Sequence, residues 1–142
     1  MRFFRTFSMV LATAVVSACT GSGTSGTEKI INEVQAANPD SIFVYRDTGF
    51  SGSGALMQVL LNGEDQGTIG IKESLELEVP RGLNEIEIRY TGLAALTTPD
   101  KLQFENDGNK ANYFIISQKH SFLSAEIILV ETTAQSYVSQ VQ

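Results

Sequence analysis

Tryptophan is absent from this chain of 142 residues, and cysteine and histidine occur once each, at Cys19 and His120. A single cysteine excludes an internal disulfide framework and any zinc cage built from cysteines. A single histidine leaves no spare parts for a His-rich metal site or a conventional charge-relay triad. Basic runs are missing too: ten Lys and Arg stand against sixteen Asp and Glu, for a net charge of −6. Phosphate backbones are held by Lys/Arg clusters, so no nucleic-acid partner is expected. Three prolines and twelve glycines are too few for a low-complexity chain, and 42% hydrophobic residues are too many for a disordered one. One globular domain of ordinary size remains.

The N-terminus speaks to location. Arg2 and Arg5 form a short basic start, and Phe7 to Ala18 is a run of twelve apolar and small residues. Spanning a bilayer takes roughly 20 such residues, so this run reads as a signal segment. It ends in Val16-Ser17-Ala18-Cys19, which looks like a bacterial lipobox: an aliphatic residue, two small ones, then the chain's only cysteine. Small residues let the chain lie in a narrow protease cleft, and the thiol is the nucleophile that receives the lipid. The pattern implies cleavage before Cys19, a diacylglycerol on its sulfur and a further acyl chain on its new amine. One chain binds membranes only marginally, whereas two or more anchor stably. Thr20, where an Asp would favour inner-membrane retention, permits export to the outer membrane facing the periplasm. Removing Arg2 and Arg5 takes the net charge from −6 to −8.

Residues 1–18 are therefore read as signal peptide and 19–27 as the lipidated cysteine with a Gly/Ser/Thr tether, which as a flexible coil spans roughly 15 Å. Residues 28–40 form a short helix and linker: Ile30, Ile31, Val34 and Ala37 recur at helical spacing, with Thr27 as N-cap and Pro39 beyond the end. Residues 41–142 read as β. Ile42–Arg46, Ala55–Asn62 and Thr68–Ile71 are strands, and Leu75–Val79 and Ile86–Tyr90 alternate with glutamates. Lys101–Glu105 and Asn112–Gln118 flank Asp107-Gly108, a hairpin signal, and Ala125–Glu131 is the last clear strand. Ala134, Tyr137, Val138 and Val141 make one weak C-terminal helix face. Short strands with frequent turn signals and no long crossover predict a small antiparallel β-sandwich of the transthyretin or immunoglobulin kind. Its expected core is Val44, Val59, Leu61, Leu77, Val79, Ile86, Ile88, Phe114, Ile116, Ile127 and Leu129.

The glutamates refine this. Folding Leu75–Val79 back on Asn84–Tyr90 as a hairpin would set Glu78 opposite Glu85 and Glu76 opposite Glu87, and like charges directly opposite destabilise a ladder. A slip of one residue would turn the apolar positions outward. The two strands are therefore expected in different sheets, with Pro80-Arg81-Gly82 as the corner between them.

The segments Ser41–Arg46 (SIFVYR), Gly49-Phe50-Ser51-Gly52-Ser53 and Val59-Leu60-Leu61-Asn62-Gly63, behind a lipobox, resemble a domain-of-unknown-function family of small bacterial lipoproteins that open on an Ile-Tyr-Val-Tyr-Arg strand. The Val79-Pro80-Arg81-Gly82 corner and the aromatic strand Asn112-Tyr113-Phe114-Ile115-Ile116 are similar to that family's later landmarks. The resemblance covers roughly residues 41–131. Phe43 replaces the usual Tyr, and the Gly that precedes the aromatic strand is displaced to Gly108. Membership implies a compact β-sandwich, and no catalytic residue is implied.

Sites of chemistry are few. Gly49–Gly54 lacks the Lys-Ser/Thr of a phosphate loop and precedes a strand, so it reads as a bulged turn. Ser117, Ser121 and Ser124 lie near His120, yet no Gly-x-Ser-x-Gly elbow exists, and His120 is expected in a loop. Glu64-Asp65 and Glu105-Asn106-Asp107-Asn109 offer oxygen ligands without EF-hand spacing, in places where turns use such residues anyway. No cofactor or metal is expected. Tyr45 and Arg46, closing the first strand, and Phe50 in the Gly-rich loop are the candidate contacts for an envelope protein, although Tyr45 and Arg46 serve equally as a structural corner. The reading is a membrane-anchored, non-catalytic binding or structural module of the cell envelope. The alternative is an accessory or weak hydrolase, or a ligand- or Ca²⁺-binding module, using the acidic loops.

Overall fold

A computed structural model describes residues 22–47, 55–92, 97–120 and 125–142. The signal segment, Cys19, Phe50 and the Gly49–Gly54 loop lie outside the described residues. The elements run β1 (Thr24–Ser25), α1 (Thr27–Gln35), β2 (Ser41–Arg46), β3 (Met57–Leu61), β4 (Glu64–Ile69), β5 (Glu73–Glu78), β6 (Gly82–Tyr90), β7 (Asp100–Asn106), β8 (Asn112–His120), β9 (Ala125–Thr132) and α2 (Ala134–Val141). They form a β-sandwich of two sheets, ordered β1-β5-β2-β8-β9 and β4-β3-β6-β7. All pairings are antiparallel except β2 with β8, which runs parallel.

Each strand's residue pattern follows from its layer. In β6, Asn84, Ile86, Ile88 and Tyr90 are buried and alternate with half-buried positions, as a one-sided strand requires. In β2 all six residues are buried. Ile42 and Val44 face the second sheet, while Phe43 and Tyr45 face outward into a second apolar cluster beneath α1 and α2. SIFVYR is unbroken by polar alternation because it is a middle strand covered on both faces. All eleven residues expected in the core are buried.

The glutamate argument also holds. β5 belongs to the five-stranded sheet and β6 to the four-stranded one. Glu76 and Glu78 pair with Phe43 and Ser41, and the Ser41 hydroxyl donates to Glu76 at 3.0 Å. Glu85 and Glu87 stand opposite Gln103 and Lys101, and the Lys101 ammonium lies 3.5 and 2.9 Å from their carboxylates.

Four expectations are corrected in the fold. The strand expected at Thr68–Ile71 runs over Glu64–Ile69 instead, so Glu64 and Asp65 lie in β4 rather than in a turn. Asp107-Gly108 does not close a hairpin: β7 and β8 lie in different sheets. The Asn106 carboxamide oxygen accepts from Gly108 N and its Nδ2 donates to the Val79 carbonyl, at 2.9 and 3.0 Å, so this turn is locked to the β5–β6 corner and carries the chain across the sandwich. Thr27 is the first residue of α1 rather than its cap; Gly26 holds that position, because the Thr27 hydroxyl donates to the Val141 carbonyl of α2 at 3.0 Å. The tether is also shorter than its composition suggests. Thr24 and Ser25 pair with Ser74 and Glu73, and Ser22 N donates to the Thr68 carbonyl at 2.8 Å.

On the far side, β9 is an open edge of the first sheet. Its Leu129 N–H turns away from β8 and donates to the Asp100 carboxylate at the start of β7, at 2.8 Å. This bond joins the two sheets at that edge and removes a free donor that another strand would otherwise recruit. Asp100→Ala is expected to cost about 1–3 kcal/mol, the range for a hydrogen bond to a charged group together with the donor left behind. Asp100→Asn, which keeps an acceptor, should recover at least half of that. Urea midpoints at pH 7 check both, and equal losses would show that the bond carries nothing.

Candidate functional site

The residues singled out in the sequence sit where β2 ends. Strand alternation sends Arg46 inward between the sheets and Tyr45 outward beneath the helices. Both are interior, with relative exposures of 0% and 1%, so neither side chain offers a surface to a partner. The structural-corner reading is the one the geometry supports for them. Phe50 falls outside the described residues.

Arg46 crosses from its own sheet to the other. Its Nη1 donates to the Ala55 and Ile69 carbonyls at 2.8 and 3.3 Å. Its guanidinium carbon lies 5.9 Å from the centroid of the Tyr90 ring, within cation–π range. Nε and Nη2 find no acceptor among the described residues, and the amide nitrogen and oxygen of Gln118, two residues beyond the Ile116 that pairs with Arg46, likewise find no partner there. Burial pulls the Arg46 pKa down, partly offset by Tyr90 and Glu73.

Tyr45 packs edge-on to Tyr137, with ring centroids 5.9 Å apart. Above its ring, at 5.8 Å, stands the Lys72 ammonium, which also pairs with Asp47 at 2.6 Å. That hydrogen bond from Lys72 to Asp47 raises the Lys72 pKa. Burial raises the Tyr45 phenol, while Lys72 opposes it. Tyr45 and Lys72 line a shallow cavity of about 250 Å³ with Thr27, Ile30 and Val141.

Of the acidic positions considered for metal or hydrolytic chemistry, Asp65 and Asp107 each hold a piece of backbone, and Asp40, at the β5–β6 corner, is held by side chains. Asp65 accepts from Gly67 N at 2.9 Å and from the Gln58 amide at 2.6 Å, which lower its pKa. Asp107 accepts from Asn109 N at 2.9 Å and is lowered by that bond. Asp40 accepts from Arg81 and Asn106 at 3.2 and 3.3 Å, and Arg81 is the main cause of its lowered pKa. Among the described residues no group of three or more His, Cys, Asp or Glu is placed to hold a metal ion. His120 is the last residue of β8, paired with Ala125, rather than a loop residue.

The sequence reading missed the Ser22–Ser25 strap. It is held by backbone bonds and small side chains, so nothing in its composition separates it from a free linker. Its fit is close: a Cβ on Gly23 would stand 2.9 Å from the Ser74 carbonyl oxygen, and one on Gly67 would collide with the Ser22 hydroxyl. No family model, no curated protein and no solved structure matches this chain.

Proposed function

We propose that this chain is the precursor of a lipid-anchored protein of the bacterial cell envelope, attached through Cys19 and facing the periplasm from the outer membrane, whose β-sandwich works by contact rather than by catalysis. The observation that carries this is the lipobox Val16–Cys19 behind a basic start and a twelve-residue apolar run. The order of landmarks from SIFVYR to Asn112–Ile116, similar to the family of small lipoproteins, supports it. So does the way Asp40, Asp65 and Asp107 are each engaged locally, at a corner, within β4 and in a turn. Catalytic groups, by contrast, gather in one cleft with pKa values set by each other.

Metabolic labelling with a fatty-acid analogue tests the anchor. The wild-type chain should take up label and fractionate with membranes. Cys19→Ser should do neither, and label that persists in this variant refutes the assignment.

A further inference from the structure

We infer that the edge formed by β4, the strap and the β4–β5 turn is the face that the domain lays against the lipid bilayer, with Ile71 and Lys72 at the contact. This rests on lipidation at Cys19.

The chain between Cys19 and the first fixed residue is short. Ser22 is fixed to β4 twice over: its N–H and its hydroxyl donate to the Thr68 carbonyl at 2.8 and 2.9 Å, and the same hydroxyl accepts from Thr68 N at 2.9 Å. Thr24 and Ser25 continue along β5, and the Thr24 hydroxyl donates to Glu33 of α1 at 2.9 Å. Cys19 is three residues before Ser22. An extended chain spans at most about 3.3–3.6 Å per residue, so the lipid-bearing residue lies within about 11 Å of the β4 edge. A headgroup layer is about 5–8 Å thick on each side of the core. The anchor therefore keeps this edge within a few ångströms of the headgroups.

The β4–β5 turn is the part of this edge whose chemistry suits that position; the other end of β4 carries the exposed carboxylates Glu64 and Asp65 and is turned away from the headgroups. Gly70 N–H donates to Glu73 at 2.7 Å, closing the turn that carries Ile71 and Lys72, and Gly23 of the strap packs against that same Glu73. Ile71, a large apolar side chain, is 43% exposed. Beside it Lys72, on a left-handed backbone with φ 60°, holds its ammonium over Tyr45 and 2.6 Å from Asp47. Its side chain is 59% exposed, and reaching a phosphate means exchanging the Asp47 contact for it. An aliphatic residue next to a long cationic one is the pairing that settles at a membrane interface, the first in the acyl boundary and the second at the phosphates. Exposure alone does not choose the face, since Leu83 and Val130 are more exposed still at 73% and 50%; the position of the anchor does, and Val130 provides the contrast. It is on β9, four strand spacings from β1 across the sheet, or roughly 19 Å.

Because the only native cysteine is the acylated one, an introduced cysteine takes a label uniquely. Ile71→Cys and Val130→Cys, made in the full chain, would carry a fluorophore in vesicles of phosphatidylethanolamine and phosphatidylglycerol containing a headgroup-attached quencher. The label at 71 should be quenched at least three-fold more than the label at 130. Mass analysis of the mature N-terminal peptide reads acylation separately. An acylated protein with equal quenching at the two sites overturns the orientation alone, whereas an unacylated Cys19 overturns the anchor and the orientation together. Inserting ten Gly/Ser residues between Gly21 and Ser22 should bring the two labels level; an unchanged difference would show that the short strap is not what holds this face down.

Discussion

Replacing Tyr137 with alanine is expected to cost about 3–5 kcal/mol, the range for truncating a buried aromatic. Tyr137 is fully buried and is the hub of the outer cluster, with its ring centroid 6.3, 5.9 and 5.4 Å from those of Phe43, Tyr45 and Tyr113. Its hydroxyl is hydrogen-bonded to that of Ser74 on β5, and burial pushes its pKa far above the usual tyrosine range. α2 has eight residues, too few to be helical without packing. Removing the ring takes away the reason for α2 to dock, and α1 loses the Val141 carbonyl that holds Thr27. Tyr137→Phe keeps the ring and orphans only the Ser74 hydroxyl, a loss of about 1–3 kcal/mol. Denaturant midpoints should rank wild type above Phe above Ala. An alanine variant within about 1 kcal/mol of wild type would mean that the helices are not part of the cooperative unit.

Part of this fold is legible in the sequence and part is not. Side-chain alternation is a local consequence of strand geometry, so Ile86 and Ile88 declare their face without reference to any partner. The separation of β5 from β6 was legible for a similar reason, since four glutamates cannot face each other in one ladder. Partner choice is another matter. Asp107-Gly108 marks a turn in either case, and whether the flanking strands pair depends on Asn106 reaching Val79, 27 residues away. Tyr45 and Arg46 were correctly placed at the end of a strand, but a strand covered on both faces leaves no outward side for a partner. The strap escaped notice because backbone pairing needs no particular side chain, only the room that Gly23 and Gly67 leave.

Arg46 yields the sharpest contrast between variants. Its cation lies between the sheets with two carbonyls, the face of Tyr90 and, among the described residues, no carboxylate in ion-pair contact. Desolvating such a charge costs several kcal/mol, and two hydrogen bonds with a cation–π contact return a comparable amount. Arg46→Met fills the same slot without the charge, so it should leave stability within about 2 kcal/mol of wild type. Arg46→Glu should be the most damaging single change at this end of the domain. It would set a carboxylate against the Ala55 and Ile69 carbonyls that now accept from the guanidinium, a mismatch of more than about 4 kcal/mol. The pH dependence separates this from simple misfit. A glutamate buried beside acceptors has its folded-state pKa raised, so its cost is full well above that pKa and fades as pH falls toward the unfolded value near 4.3. The deficit of Arg46→Glu against Arg46→Met should therefore narrow from pH 7 to pH 5 in chemical denaturation. A deficit that does not change with pH, or a Met variant less stable by more than about 3 kcal/mol, would show that the guanidinium is stabilised by more than these contacts and that its charge is a net support of the sandwich.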